Sequence, residues 1–140
     1  MLTSAEGESM EILQPPGWKR PKGYSNGIAA SGRMVFVAGQ IGWNADEEIE
    51  SDDFAEQFRQ ALANIVAVLA EAGAGPEHIV RMTMYFTDKR DYLDRLAEVG
   101  AAYRETIGRT WPAMAAVEVS ALMEDRAKVE IEATAVVPEG

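Results

Sequence analysis

The chain has 140 residues, of which 47% are hydrophobic and 26% charged, proportions typical of a globular protein and not of a disordered one. Thirteen basic and 23 acidic side chains give a net charge of −10, which disfavours binding to nucleic acid and to anionic membranes, since both depend on a basic surface. The chain has no cysteine and a single histidine, His78, so disulfides, cysteine nucleophiles and multi-histidine metal sites are excluded. We expect no metal and no cofactor.

Two segments near the N-terminus are predicted to lack regular structure. Residues 1–9 are polar and are expected to form a flexible leader, whereas residues 10–140 are expected to form one domain. Residues 14–27 contain three prolines and three glycines, a composition that indicates an irregular arm on the surface. No apolar run reaches the roughly 20 residues of a membrane span, and no signal peptide is apparent, so a cytoplasmic protein is expected.

Two short strands and a long helix follow the arm. The strands are predicted over residues 28–31 and 34–38. The helix is predicted over residues 52–72, where apolar residues recur at spacings of three and four and form one buried stripe. Ser51 or Asp52 is expected to cap its N-terminus.

The second half of the chain predicts three strands and another helix. Residues 79–87 alternate in polarity and indicate a strand, and residues 90–107 indicate a helix. Strands are predicted over residues 113–122 and 128–137. The order β-β-α-β-α-β-β predicts a single α+β domain with both helices packed on one face of the sheet.

The face of the sheet away from the helices is predicted to be of mixed polarity. Alternation in the last strand places polar side chains on this face. We expect side chains of mixed polarity from the preceding strand beside them. These side chains are Lys128, Glu130, Glu132 and Thr134, and Met114, Ala116, Glu118 and Ser120, respectively. Two interpretations remain open, a solvated face or a contact between subunits.

Several segments have a characteristic order and spacing. They are Gly23-Tyr24-Ser25, residues 35–41 (VFVAGQI), residues 57–65, residues 69–74 (LAEAGA), residues 79–88, residues 111–113 (WPA), residues 117–119, Leu122 and residues 129–133 (VEIEA). With them, the chain from about residue 23 to residue 136 resembles the Rid family of reactive-intermediate deaminases, also called YjgF-type and often labelled endoribonuclease L-PSP.

The resemblance implies a chorismate-mutase-like fold assembled as a homotrimer. The sheets of three subunits would form a barrel-like core, with a cleft between each pair of neighbours. Archetypal members hydrolyse imines and enamines such as 2-aminoacrylate to ammonia and a 2-keto acid. In them an arginine after a Pro-Ala pair binds the substrate carboxylate, and a glutamate in the last strand handles the water or proton.

The chain departs from this pattern at the position of the arginine. Met114 follows Pro112-Ala113, Ala116 stands where a cysteine is often found, and Ala38 replaces a small polar residue. Methionine has no hydrogen-bond donor, so carboxylate binding is expected to weaken by a factor of roughly tens to thousands unless another cation substitutes. We therefore expect a substrate other than 2-aminoacrylate.

The resemblance assigns roles to specific residues, and each has a simpler alternative. Glu130 would activate water, although a glutamate in an alternating strand is usually just solvated. Tyr24 would orient the leaving nitrogen or merely anchor the arm. Gly39, beside Ala38, would present a backbone N–H to developing charge or serve as a turn glycine. Met114, near Ala116, would form the floor of an apolar pocket or pack in the core.

These residues support two classes of function. The first is a hydrolase of imine or enamine metabolites whose substrate lacks the α-carboxylate or presents it differently. The second is a non-catalytic trimeric protein that binds small molecules or acts as a chaperone. A ribonuclease is disfavoured by the negative charge and by the missing arginine. Arg33, Arg81 and Arg109 are candidates for a displaced clamp, and His78 is expected to be a solvated loop residue.

Overall fold

The structure is a computed structural model that describes residues 10–139, so the expected leader over residues 1–9 lies outside the described residues. It contains six strands, three α-helices and a 3₁₀ turn at Pro76–His78. The strands and helices are β1 (Met10–Leu13), β2 (Gly27–Ala30), β3 (Arg33–Ile41), α1 (Phe54–Glu71), β4 (Ile79–Phe86), α2 (Lys89–Leu93), α3 (Leu96–Thr106), β5 (Ala113–Glu118) and β6 (Val129–Val137).

Four of the strands form the main sheet, in the order β3-β6-β4-β5. β6 pairs antiparallel with both β3 and β4, whereas β4 and β5 are parallel and are connected through α2 and α3. β1 and β2 form a separate antiparallel pair. The α+β class is confirmed, and β5 forms one edge of the main sheet.

The helices cover one face of this sheet, as predicted. The apolar stripe of α1 is fully buried against β3 and β6, and α3 packs on α1. The stripe meets inward-facing side chains of the two central strands. These side chains are Met82, Met84 and Phe86 of β4 and Val129, Ile131, Ala133 and Ala135 of β6. Within residues 10–139, no helix is both long and apolar enough to cross a bilayer.

The predicted continuous helix over residues 90–107 is wrong. α2 ends at Leu93 with Asp94 as its C-cap, and α3 begins after Arg95, whose φ of −130° and ψ of 37° are not helical. The guanidinium of Arg95 reaches the carboxylate of Asp53 at 2.7 Å. This ion pair joins the break between α2 and α3 to the start of α1, at the residue whose backbone is not helical.

Several predicted boundaries also differ from the structure, among them the end of β3, which runs to Ile41 rather than to residue 38. The N-cap of α1 is Asp53, whose carboxylate accepts a backbone hydrogen bond in the first turn at 3.0 Å. Neither Ser51 nor Asp52 is the cap, because the Ser51 hydroxyl accepts from the backbone of Asp53 and holds the preceding turn. The strand predicted over residues 113–122 ends at Glu118, since β4 ends at the residue that pairs with Glu118.

A buried glutamine joins two loops at one end of the sheet. Gln57 of α1 donates hydrogen bonds from Nε2 to the carbonyl oxygens of Ser51 and Arg126, at 2.9 and 3.1 Å. Its Oε1 accepts from the backbone N–H of Lys128 at 2.8 Å. One side chain thereby satisfies three backbone groups of the loops that precede α1 and β6.

The face of the sheet away from the helices, here called the open face, is of mixed polarity. Polar Arg81, Thr83, Tyr85, Glu130, Glu132 and Thr134 share it with Phe36, Ala113, Ala115 and Val117. The expectation that Met114 and Ala116 lie on this face is wrong. They pair in register with Met82 and Met84, which face the helices.

Candidate functional site

A β-bulge brings the Glu130 carboxylate against Gly39. The register between β3 and β6 shifts between Val37 and Gln40, and this shift takes Ala38 and Gly39 out of the regular pairing. A Cβ atom built at Gly39 would overlap the Oε2 atom of Glu130 and lie 2.8 Å from its Cδ. The missing side chain at Gly39 therefore makes room for the half-buried carboxylate of Glu130.

Tyr85 is the neighbour of Glu130 on the open face, and sequence reasoning did not single it out. It is the Cα partner of Glu130 across the β4–β6 pair. Its hydroxyl donates to Oε2 of Glu132 at 2.9 Å, and this hydrogen bond, with a smaller contribution from desolvation, raises the pKa of Tyr85. Tyr85 thus stays protonated at neutral pH and holds Glu132 rather than Glu130. The sequence feature that could have identified Tyr85 is its place on the polar side of an alternating strand.

Met114 lines a different site, a groove between the edge strand β5 and helix α3. The groove encloses about 290 Å³. Its lining, which is mostly apolar, includes Tyr92, Leu96, Tyr103, Arg104, Trp111 and Met114. Met114 is half-buried there, so it forms part of an apolar pocket wall, whereas its neighbour Ala116 is exposed.

Stacked aromatic rings form one wall of this β5–α3 groove. The rings of Tyr103 and Trp111 are 5.3 Å apart and inclined by 8°. The Tyr103 hydroxyl donates to the carbonyl oxygen of Thr110 at 2.7 Å, and burial raises the pKa of Tyr103 well above its usual range. The phenol therefore stays neutral, and the wall is apolar with a fixed geometry.

The proline- and glycine-rich arm is tied to the same groove through Ser25. The Ser25 N–H donates to the carbonyl of Pro112 at 3.0 Å, and its hydroxyl donates to the carbonyl of Trp111 at 2.5 Å. Gly23 lines the groove, and Tyr24, which follows it, is 40% exposed. Ser25 therefore anchors the arm, and Tyr24 lies next to the groove.

The candidate groups lie at two separate places in one chain. Gly39 and Glu130 lie together at the bulge on the open face, whereas Met114 and Gly23 line the β5–α3 groove on the helix side. The expected juxtaposition of Glu130 with Met114 does not occur within one chain. Arg104, in the groove beside Met114, is a cation that sequence reasoning missed.

The other candidates lie elsewhere. Arg33 donates to the carbonyl of Ala72 at 2.6 Å and closes the end of α1. Arg81 lines a cavity of about 240 Å³ on the open face. His78 is half-buried rather than solvated, because its Nδ1 accepts from the backbone N–H of Gly75 at 3.0 Å. Residues 10–139 contain no cluster of His, Asp or Glu side chains suited to hold a metal ion.

Comparisons with known proteins identify relatives of the chain. A family model described as endoribonuclease L-PSP matches residues 18–137. A RutC family protein of Pyrococcus abyssi is 40% identical over 113 residues, which are 80% of this chain and 84% of the relative. An Escherichia coli protein named 2-iminobutanoate/2-iminopropanoate deaminase is 37% identical over 105 residues, 75% of this chain and 80% of that protein.

Comparison with solved structures finds relatives of the same kind. A crystal structure of a member of the conserved Rid protein family from Yersinia pestis matches with a TM-score of 0.80 and 32% identity, covering 93% of this chain and all of that one. The crystal structure of the YjgF gene product of Escherichia coli matches with a TM-score of 0.64 and 36% identity, covering 81% and 87% of the two chains. These structures have the α+β fold described above.

Replacement of Gly39 by alanine is predicted to displace the Glu130 carboxylate without unfolding the protein. The new Cβ would meet only the end of a flexible side chain. In the control variant G42A, the Cβ would lie 2.6 Å from the Cα of Gln57 in α1, and a loss of about 1–3 kcal/mol in stability is expected from this overpacking. Thermal unfolding and a crystal structure of G39A measure both effects. An unmoved Glu130 side chain in G39A would contradict the prediction.

Proposed function

The chain belongs to the Rid (YjgF-type) family, and on that premise we propose that it hydrolyses imine or enamine metabolites to ammonia and a carbonyl product. The observation that carries the proposal is the half-buried Glu130 carboxylate seated against Gly39 at a β-bulge. Relatives named 2-iminobutanoate/2-iminopropanoate deaminase, at 36–37% identity, support this class of reaction.

The proposed active site needs more than one copy of the chain. Phe36 and Val117 on the open face are 70% and 44% exposed. Packing of this face against another subunit would remove both side chains from water, which favours association. We propose that the open faces meet in a homotrimer, and that in each cleft Glu130 of one subunit faces the β5–α3 groove of its neighbour.

In this mechanism Glu130 handles the proton and the substrate nitrogen leaves as ammonia. The carboxylate of Glu130 accepts a proton from water as the oxygen attacks the C=N carbon, and the nitrogen takes up a proton. The resulting carbinolamine then expels ammonia and leaves a C=O group, so one water is consumed for each ammonia released. Tyr24 orients the leaving nitrogen, and the backbone N–H of Gly39 stabilises developing charge. Ala38 and Ala116 leave room for the substrate.

A second candidate function is a trimeric small-molecule-binding or chaperone-like protein without turnover. The observation that favours it is Met114, which offers a substrate carboxylate no hydrogen bond at the position where the family has an arginine. Thermal-shift measurements with a panel of imines and 2-keto acids distinguish the two functions. Stabilisation by these metabolites without ammonia release would favour binding alone.

The homotrimer predicts that a charge on the open face separates the subunits. The F36E variant is expected to sediment as a monomer and to lose turnover, because burial of the added carboxylate in the contact between subunits opposes association. V68E is the matched control, since Val68 is also exposed (40%) but lies on helix α1. A wild-type protein that sediments as a monomer at micromolar concentration would contradict the trimer.

The role of Glu130 predicts a large loss of activity in E130Q and E130A. Removal of a general acid/base is expected to slow ammonia release by about 100-fold or more. The assay uses imines formed in situ by amino-acid oxidases, together with enamines of the aminomuconate type. E132Q is the control, because Glu132 lies on the same face and is held by Tyr85. Unchanged turnover in E130A would refute the mechanism.

The arginine missing from the groove predicts a gain of binding in M114R. A guanidinium at this position is expected to strengthen binding of pyruvate and 2-oxobutanoate by about tenfold or more, through charge-assisted hydrogen bonds to the carboxylate. Calorimetric titration measures the change, and M114L, which conserves the apolar volume, is the control. Equal affinities in M114R and M114L would show that the pocket differs from the family's by more than one residue.

A further inference from the structure

Arg104 is a cation directed along helix α3 toward the β5–α3 groove. It lies one helical turn after Gly100, and both residues line the groove together with Met114. A Cβ atom built at Gly100 would be 3.1 Å from Nη1 of Arg104, so the side chain folds back over the bare backbone of Gly100. The glycine thereby lets the guanidinium lie close to the helix at the edge of the groove.

No acidic side chain of residues 10–139 neutralises Arg104. Four other arginines form ion pairs and Arg33 donates to a helix carbonyl, whereas Arg20, Arg81 and Arg109 have no ion pair within residues 10–139 but do not line the groove. The four pairs are Arg59–Glu105, Arg90–Asp94, Arg95–Asp53 and Arg126–Asp52. In a chain with a net charge of −10, a guanidinium without a carboxylate partner beside a groove is available to an anionic ligand.

The rest of the groove specifies what else the ligand must carry. Met114 and the stacked Tyr103–Trp111 pair present apolar surface, and the Tyr103 hydroxyl is occupied by the carbonyl of Thr110. A ligand that fills this space therefore gains by burying an apolar or aromatic group. Charge and apolar surface together select a carboxylate attached to a large apolar substituent.

We propose that Arg104 binds the substrate carboxylate in place of the arginine that Met114 replaces, and that the substrate is an imine or enamine carrying a bulky apolar or aromatic group. This inference rests on the proposed function. Because Arg104 lies on a helix across the groove from β5, the carboxylate is held at a different place from that in the archetypal enzymes. Small substrates such as 2-aminoacrylate lack a substituent large enough to fill the space between Arg104 and β5.

The test measures binding of phenylpyruvate and of its methyl ester, which differ only in the carboxylate. In the wild-type protein, calorimetric titration is expected to give affinity for the acid about ten- to a hundredfold above that for the ester. R104Q is expected to abolish this preference while it retains binding of the ester. R109Q is the matched control, since Arg109 is also exposed and close in sequence but does not line the groove.

Each outcome decides the proposal independently of turnover. Loss of the acid preference in R104Q, with R109Q and the melting temperatures unchanged, supports it. An acid preference that persists in R104Q, or a wild-type protein that binds neither compound, overturns it. Failure of the proposed hydrolysis appears separately, as an E130A variant that still releases ammonia or a wild-type protein that binds phenylpyruvate but turns over no imine.

Discussion

The register between β4 and its two neighbours decides where each candidate group lies. β4 pairs in parallel with β5, where Met82 is opposite Met114, and antiparallel with β6, where Tyr85 is opposite Glu130. Because successive side chains of a strand point to opposite faces, these pairings direct Met114 to the helix side and Glu130 to the open face. Backbone hydrogen bonds fix this separation, so no side-chain rotation within one chain removes it. The proposed chemistry therefore requires a second subunit.

Much of the fold is predictable from the sequence because its signals are local. The stripe of α1 and the alternation of β4 and β6 read directly as a helix and two strands. The break between α2 and α3 is not predictable in this way, because the apolar spacing continues across it and the ion pair found there joins Arg95 to a residue 42 positions away. β1 is also missed, since it is short and its only pairing is with β2, on the far side of the irregular arm.

The residues of the candidate site also divide into those that the sequence identifies and those that only the folded structure identifies. The family resemblance names Gly39 and Glu130 separately, and the bulge in the structure brings them together. Alternation in β5 defines two sets of side chains but not which set faces the helices, because both are largely apolar. Only pairing with β4 settles that Met114 faces inward. Arg104 carries no signal in the sequence, since an exposed arginine on a helix is usually solvated, and its proposed role rests on the groove beside it.

The hydrogen bonds of Gln57 also couple the two loops that they join. Because one buried amide serves the segments before α1 and before β6, withdrawal of that side chain would leave backbone polar groups unsatisfied in both. The two loops should therefore open to solvent as one cooperative unit in native-state hydrogen exchange, with the Lys128 amide reporting on both. The strand that carries Glu130 begins at the edge of this unit, so local fluctuations of the proposed catalytic strand are limited by a side chain that takes no part in the chemistry.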